Sequence, residues 1–153
     1  MKQTNLSKET ILSAITQIGV QEVPKGSNAG VDVEKYLKSV GLGKGFSWCM
    51  AFVYWNVQQA CAKLKMPVPL LKTGGVLKQY NNPKNSKFTI PIKGDIFILD
   101  LGKGLGHTGF VEYVIKDTIH TIEGNTNDEG SREGYEVCRR VRKIADIKGF
   151  IRI

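Results

Sequence analysis

The chain has 153 residues, 41% of them hydrophobic, and a formal net charge of +8, which suits one domain (residues 1–153) with a single sizeable core. No apolar run approaches the roughly 20 residues that a bilayer span requires, so no stable membrane insertion is expected. The opening "MKQTNLSKETILSAITQIG" carries Asn5, Ser7, Lys8 and Glu9 where an export signal needs an unbroken apolar core, and cytosolic synthesis without a signal peptide follows as the expectation.

Helical signals fill the first half. Ser7 is positioned to cap a first helix, with Leu6 and Ile11 as a hydrophobic staple; Ile11, Ile15 and Ile18 then recur at helical spacing until Gly19. After the turn-rich "PKGSNAG", "DVEKYLKSVG" reads as a second helix, with Asp32 as cap, Val33, Leu37 and Val40 on one face and Gly41 as the stop. A third helix is predicted from near Ser47 to about Lys65, ahead of Pro67 and Pro69. Its broad stripe of Phe52, Val53, Val57, Ala60, Cys61 and Leu64 marks it as the central buried helix. Tyr80, Asn81 and Asn82 fall in a polar connection.

After residue 90 the apolar period changes to two. "GDIFILDL", with Asp95 as a turn residue, "HTGFVEYVI", "TIHTIEGN", "GYEVCRRVRKI" and "GFIRI" predict about five strands. The short connections between them make neighbours antiparallel. Helices first and an antiparallel sheet second place the fold in the α+β class.

Three cysteines, at 49, 61 and 138, form neither a metal knuckle nor an even disulfide set. Cys61 lies inside the apolar stripe and reads as core. Cys49, in "GFSWCMAFVYW", stands at the start of the central helix, where unpaired N–H groups and the positive dipole end favour a thiolate and would also stabilise an oxyanion. A nucleophile needs a base and a group that orients it. His107 opens the second strand beside a glycine-rich turn. In the third strand, alternation sets Thr121, Glu123 and Asn125 on one face and His120 on the other, so Glu123 and Asn125 can hold the His107 imidazole in one tautomer. His120 reads as a surface or packing residue. Trp55 reads as core and Trp48 as a groove edge that contacts substrate.

Basic residues are spread over both halves, with one cluster, "RRVRK", at Arg139 to Lys143. Such charge suits nucleic acid, an anionic membrane or the acidic polymers of a bacterial wall, and equally a solvated basic face. No interleaved basic-aromatic motif supports nucleic acid, and no nucleic-acid partner is expected.

The ordered set "GFSWCMAFVYW", "GDIFIL", "GHTGFV" and "IEGNT", with "GVQEVPKGSNAGVDVEKYLKSVGL" upstream, resembles the CHAP domains, the cysteine- and histidine-dependent amidohydrolases/peptidases of the NlpC/P60-type, papain-like group. The resemblance runs from about residue 18 to 150. It implies a papain-like fold in which Cys49 is the nucleophile, His107 the general base, Glu123 the residue orienting the histidine, and Asn125 a further polar member that assists the histidine or the oxyanion. Glu22 and Asn28 also recur in this branch, without an assigned role.

The implied substrate is peptidoglycan, cut as an N-acetylmuramoyl-L-alanine amidase or as a stem-peptide endopeptidase. The implied settings are a phage-type endolysin released through a holin, or an injected antibacterial effector with an immunity protein as partner. The expected state is a monomer, with no cofactor. Some CHAP domains bind calcium through an acidic loop ahead of the cysteine; "SVGLGKGFSW" contains no acid, so no metal is expected. The rival readings are a cysteine hydrolase or acyltransferase on another protein or peptide amide, and a non-catalytic basic wall-binding module.

Overall fold

The computed structural model describes residues 1–126 and 134–153. Among them run four α-helices, α1 (Asn5–Gln17), α2 (Val31–Ser39), α3 (Cys49–Leu64) and α4 (Val76–Tyr80). Six strands follow the helices: β1 (Ser86–Phe88), β2 (Ile96–Gly102), β3 (Leu105–Ile115), β4 (Thr118–Thr126), β5 (Glu136–Lys143) and β6 (Gly149–Arg152). The sheet order is β1-β6-β2-β3-β4-β5, and every pairing is antiparallel. The α+β expectation and the helix-then-sheet order hold. β2 to β5 form a meander, whereas β6 returns to pair with β2 and carries the short β1 on its outer side.

Alternation along β2 divides the core. Ile96 and Ile98 join Phe110 and Ile122 in the main cluster beneath the helices, against Tyr36 and Leu37 of α2 and Met50, Phe52, Val53 and Val57 of α3. Phe97 and Leu99 face the other way, into a smaller cluster with Val111, Ile119 and Phe150. The sheet is therefore buried on both faces around β2 and β3, which makes it a rigid mount for side chains on those strands.

The helix starts differ from expectation in an informative way. Thr4, not Ser7, caps α1: its hydroxyl accepts the Ser7 N–H at 3.0 Å, and Ser7 lies buried in the first turn. Ile15 is 38% exposed, because the buried stripe of α1 runs through Leu6, Thr10, Ile11 and Ala14. Gly30 rather than Asp32 caps α2; its N–H donates to Glu34 Oε2 at 3.0 Å, a carboxylate reaching back from the first turn. At α3 the cap position is held by Trp48, with no side-chain cap, instead of by Ser47. Cys49 is thus the first helical residue. α4 and β1 lie in the stretch expected to be connection, and Tyr80 packs toward β6, where its hydroxyl closes over Gly149. Asp95 holds its turn by accepting the Ile92 N–H at 2.9 Å and by pairing with Arg152.

Candidate active site

Cys49 owes its place to the residue before it. The Trp48 indole is fully buried, stacked on Tyr36 with ring centroids 5.7 Å apart, and its Nε1–H donates to Glu22 Oε1 at 2.9 Å. An indole is large and apolar but carries one donor, so burial is favourable only where an acceptor waits, and Glu22 supplies it. The expectation that Trp48 edges a substrate groove is therefore corrected: with no exposed surface, it anchors the start of α3 from inside the core. Trp55 packs edge-on against Tyr36, part-buried beside the core as expected. Asn28, in the left-handed region at φ 51°, accepts the Gly45 N–H at 2.9 Å through its carbonyl and ties down the loop leading to Cys49.

With no side-chain cap on α3, the N–H groups of its first turn gather at the positive end of the helix dipole, around Cys49. The thiol meets His107 there. Cys49 and His107 are each 2% exposed. The His107 ring lies 6.1 Å from Phe97, and its Nε2 is 2.7 Å from Glu123 Oε1. A carboxylate on Nε2 sets the tautomer with the proton on that nitrogen. Nδ1, which carries no hydrogen bond of ordinary geometry, is the nitrogen left to Cys49.

Glu123 has no exposed surface, yet every lone-pair direction of its carboxylate is met. Oε1 faces His107 Nε2 and accepts from Arg142 Nη2 at 2.6 Å. Oε2 accepts from Thr121 Oγ1 and from Arg142 Nε, both at 2.6 Å. Burial pushes the carboxyl upward, but the hydrogen bonds and charges of Arg142 and His107 outweigh it and bring the pKa down to about 2. For His107, burial pushes downward; the hydrogen bonds and electrostatic interactions with Cys49 and Glu123 outweigh it and raise the pKa to about 9. The geometry thus favours an imidazolium between a thiol sulfur and a carboxylate.

Of the sequence-predicted residues, Cys49, His107 and Glu123 come together. Asn125 is fully buried with φ 57°, and neither Oδ1 nor Nδ2 has a hydrogen-bond partner among the described residues. Asparagine tolerates this left-handed conformation better than most residues. A register shift between Glu123 and Thr126 interrupts the strict alternation that would place the Asn125 amide on the Glu123 face. His120 stacks on Tyr113 at 4.3 Å, and Cys61 is buried, which raises its thiol pKa. Among the described residues, no group of three or more His, Cys, Asp or Glu is arranged to hold a metal ion.

Three contributors escape the sequence reading. Arg142 was hidden in the basic cluster, Thr121 was placed on the right face without a role, and Glu22 lacked a partner. The signal for Arg142 is its register: Ile119 pairs with Arg142 and Thr121 with Arg140, so Arg142 shares the face of Glu123.

The sequence profile of the CHAP domain family matches residues 41–125. Comparison with curated proteins returns no match. Among solved structures, the chain is similar to one described as the crystal structure of Ly7917, with TM-score 0.58 and 18% identity over 95% of this chain and 61% of that one. It is also similar to Ly7917 with the hydrolyzing product of MDP, with TM-score 0.55 and 18% identity over 95% of this chain and 62% of that one. At this identity the likeness concerns the fold, and the chain spans about three fifths of the length of these solved chains.

Proposed function

The chain belongs to the CHAP family of cysteine- and histidine-dependent amidohydrolases/peptidases, and from that premise we propose that it hydrolyses an amide bond of peptidoglycan with Cys49 as nucleophile. The observation that carries the reading is the buried line of contacts from Cys49 through His107 to Glu123. The crystal structure of Ly7917 with the hydrolyzing product of MDP lends support on the side of the substrate.

In the proposed mechanism, His107 Nδ1 holds the Cys49 proton as an imidazolium, with Nε2–H anchored on Glu123. The thiolate attacks the scissile carbonyl, and the C=O electron pair moves onto oxygen, facing the N–H groups of the first turn of α3. The tetrahedral adduct collapses as His107 gives its Nδ1 proton to the leaving amine, and the C–N bond breaks. Water then attacks the thioester, losing a proton to His107, and the acid product leaves as the thiolate re-forms. Asn125, with a buried and unpartnered Nδ2 donor, is proposed to assist the histidine or the oxyanion.

All 153 residues are taken as one catalytic unit, since a single core cluster draws side chains from Leu6 through Ile151. The proposed site of action is the bacterial wall, reached as an endolysin or an injected effector; in the second setting an immunity protein would cover the Cys49 site. A basic binding module is the weaker reading. Two members of "RRVRK" are paired with carboxylates, Arg139 at the surface with Glu112 at 2.8 and 2.9 Å and Arg142, largely buried, with Glu123.

The test is digestion of purified peptidoglycan by wild type and Cys49→Ala, with products identified by mass spectrometry. New termini that vanish in the mutant would support the assignment and name the bond. Release by a folded Cys49→Ala protein would overturn it. No release by either protein would redirect the activity to another amide.

A further inference from the structure

We propose that Arg142 is a positioning residue of the site: its guanidinium, forked onto both oxygens of Glu123, keeps that carboxylate ionised and turned toward His107 Nε2. The proposal rests on the Cys49–His107–Glu123 reading above and assigns a role to a residue outside it. A carboxylate with no exposed surface has two costly alternatives to its ionised, oriented state: it can protonate, or it can rotate to find other donors. Arg142 closes both routes. Its Nε and Nη2 each reach a different oxygen at 2.6 Å, so rotation of the carboxylate breaks two charge-assisted bonds together. Thr121 Oγ1, at 2.6 Å from Oε2, fills the remaining direction on that side and leaves Oε1 to His107.

Arg142 is itself held in place. It is only 16% exposed, and its guanidinium lies 5.5 Å from the centre of the Phe97 ring, the same ring that backs His107. Among the described residues, the charged or titratable groups on the face of Glu123 are His107 from β3 and, from β5, Arg142, Arg140 opposite Thr121, and Cys138 directly opposite Glu123; His107 and Arg142 are hydrogen-bonded to the carboxylate. β4 offers the Thr121 hydroxyl, and beside His107 on β3 lies Gly109, where a built Cβ would fall 2.8 Å from Glu123 Cγ and 3.0 Å from Phe97 of β2. Arg142 is therefore the permanent cation held on the carboxylate behind the histidine, at hydrogen-bond distance from both of its oxygens. Lysine could supply the charge but not the fork.

The test uses the full chain with three substitutions, Arg142→Gln, Arg142→Lys and, as a control on the same strand, Arg139→Gln. Carboxyl-carbon NMR reads the titration of Glu123, and imidazole-nitrogen NMR, recorded above pH 9 where the ring is neutral, reads the tautomer of His107, a clean signal in a chain with two histidines. Peptidoglycan hydrolysis across pH is measured in parallel. In Arg142→Gln the Glu123 midpoint is expected to rise by about one pH unit or more, and the acid limb of kcat/KM is expected to rise with it. At neutral pH, kcat/KM is expected to fall about 10- to 100-fold, as when the outer partner of a functional histidine is lost.

Arg142→Lys should recover the low midpoint in part while leaving His107 in mixed tautomers, and Arg139→Gln should match wild type throughout. An unchanged Glu123 midpoint and His107 tautomer in folded Arg142→Gln would overturn the proposal. Should that variant not fold, Arg142→Lys indistinguishable from wild type would do the same. The NMR arms need no substrate. A shifted Glu123 in a protein inactive on peptidoglycan would keep the role of Arg142 and discard only the substrate.

Discussion

Glu123 carries more of the site than its position behind the histidine suggests. Glu123→Gln preserves its shape and removes its charge. It leaves Arg142 facing an amide and His107 without an anion, so burial, now less opposed, pulls the imidazole pKa down from about 9. We expect kcat/KM to drop by about 10²–10⁴, and stability to fall by about 3–5 kcal/mol, the range for breaking a buried ion pair by removing one partner. Hydrolysis assays and urea denaturation of the same samples check both. Trp48→Phe addresses another buried carboxylate, Glu22. It removes the donor on Glu22 Oε1, and Glu22 Oε2 already has no partner. The expected cost is about 1–3 kcal/mol, read as a lower denaturation midpoint with unchanged slope. A Trp48→Phe protein as stable as wild type would remove the anchoring role given to Glu22.

At the scale of the element, the start of α3 and the end of β4 are locked by one missing side chain. A Cβ on Gly124 would come within 2.7 Å of Trp48 Cζ3 and 2.8 Å of Phe52, which is closer than packed atoms allow. Gly124→Ala must push the helix start from the sheet, at an expected cost of about 1–3 kcal/mol for overpacking. Cys49 moves with that helix start, so activity per folded molecule should fall too; circular dichroism melts and kcat measured below the melting range separate the two effects.

The sequence made the same elements legible to unequal degrees. The five longer strands announce themselves by alternation, and α3 by its stripe and the prolines after it. α4, with five residues, and β1, with three, are too short for any period to show. Helix caps were misplaced by one to three residues because Thr4, Gly30 and Trp48 compete with Ser7, Asp32 and Ser47 through contacts that local spacing does not reveal. His107 and Glu123 were legible as neighbours, since pairing and alternation suffice to set them together. The burial of Trp48 was not, because nothing near it in the chain points to Glu22, 26 residues away. Arg142 was legible only as charge: composition records a cation but not the carboxylate it faces.

For the whole molecule, the two shifted groups set a pH window. His107, raised from 6.5 to about 9, adds stability that is complete below pH 6.5 and lost as pH rises through 9. Glu123, lowered from 4.5 to about 2, adds stability that is complete above pH 4.5 and lost as pH falls through 2. Their joint contribution is therefore full between these two ordinary values. Activity should decline as pH rises through about 9, where His107 loses the proton destined for the leaving amine. Thermal melts across pH on wild type and His107→Gln provide the check: the variant should lack the alkaline loss, and a loss of equal size in both would refute its origin in His107.

The near-complete covering of Cys49 also bears on how long the protein lasts outside a reducing cell. Thiols are consumed by peroxide and by disulfide exchange in proportion to their access as well as their ionisation, and the wall proposed as the site of action is an oxidising setting. Cys138, half-buried on β5, stands in easier reach of such reagents than Cys49 at 2% exposure. A sulfur set beside His107 at the helix start, with 2% exposure, is sheltered from small oxidants. The same enclosure that sets the proposed nucleophile beside His107 also gives it a shelf life.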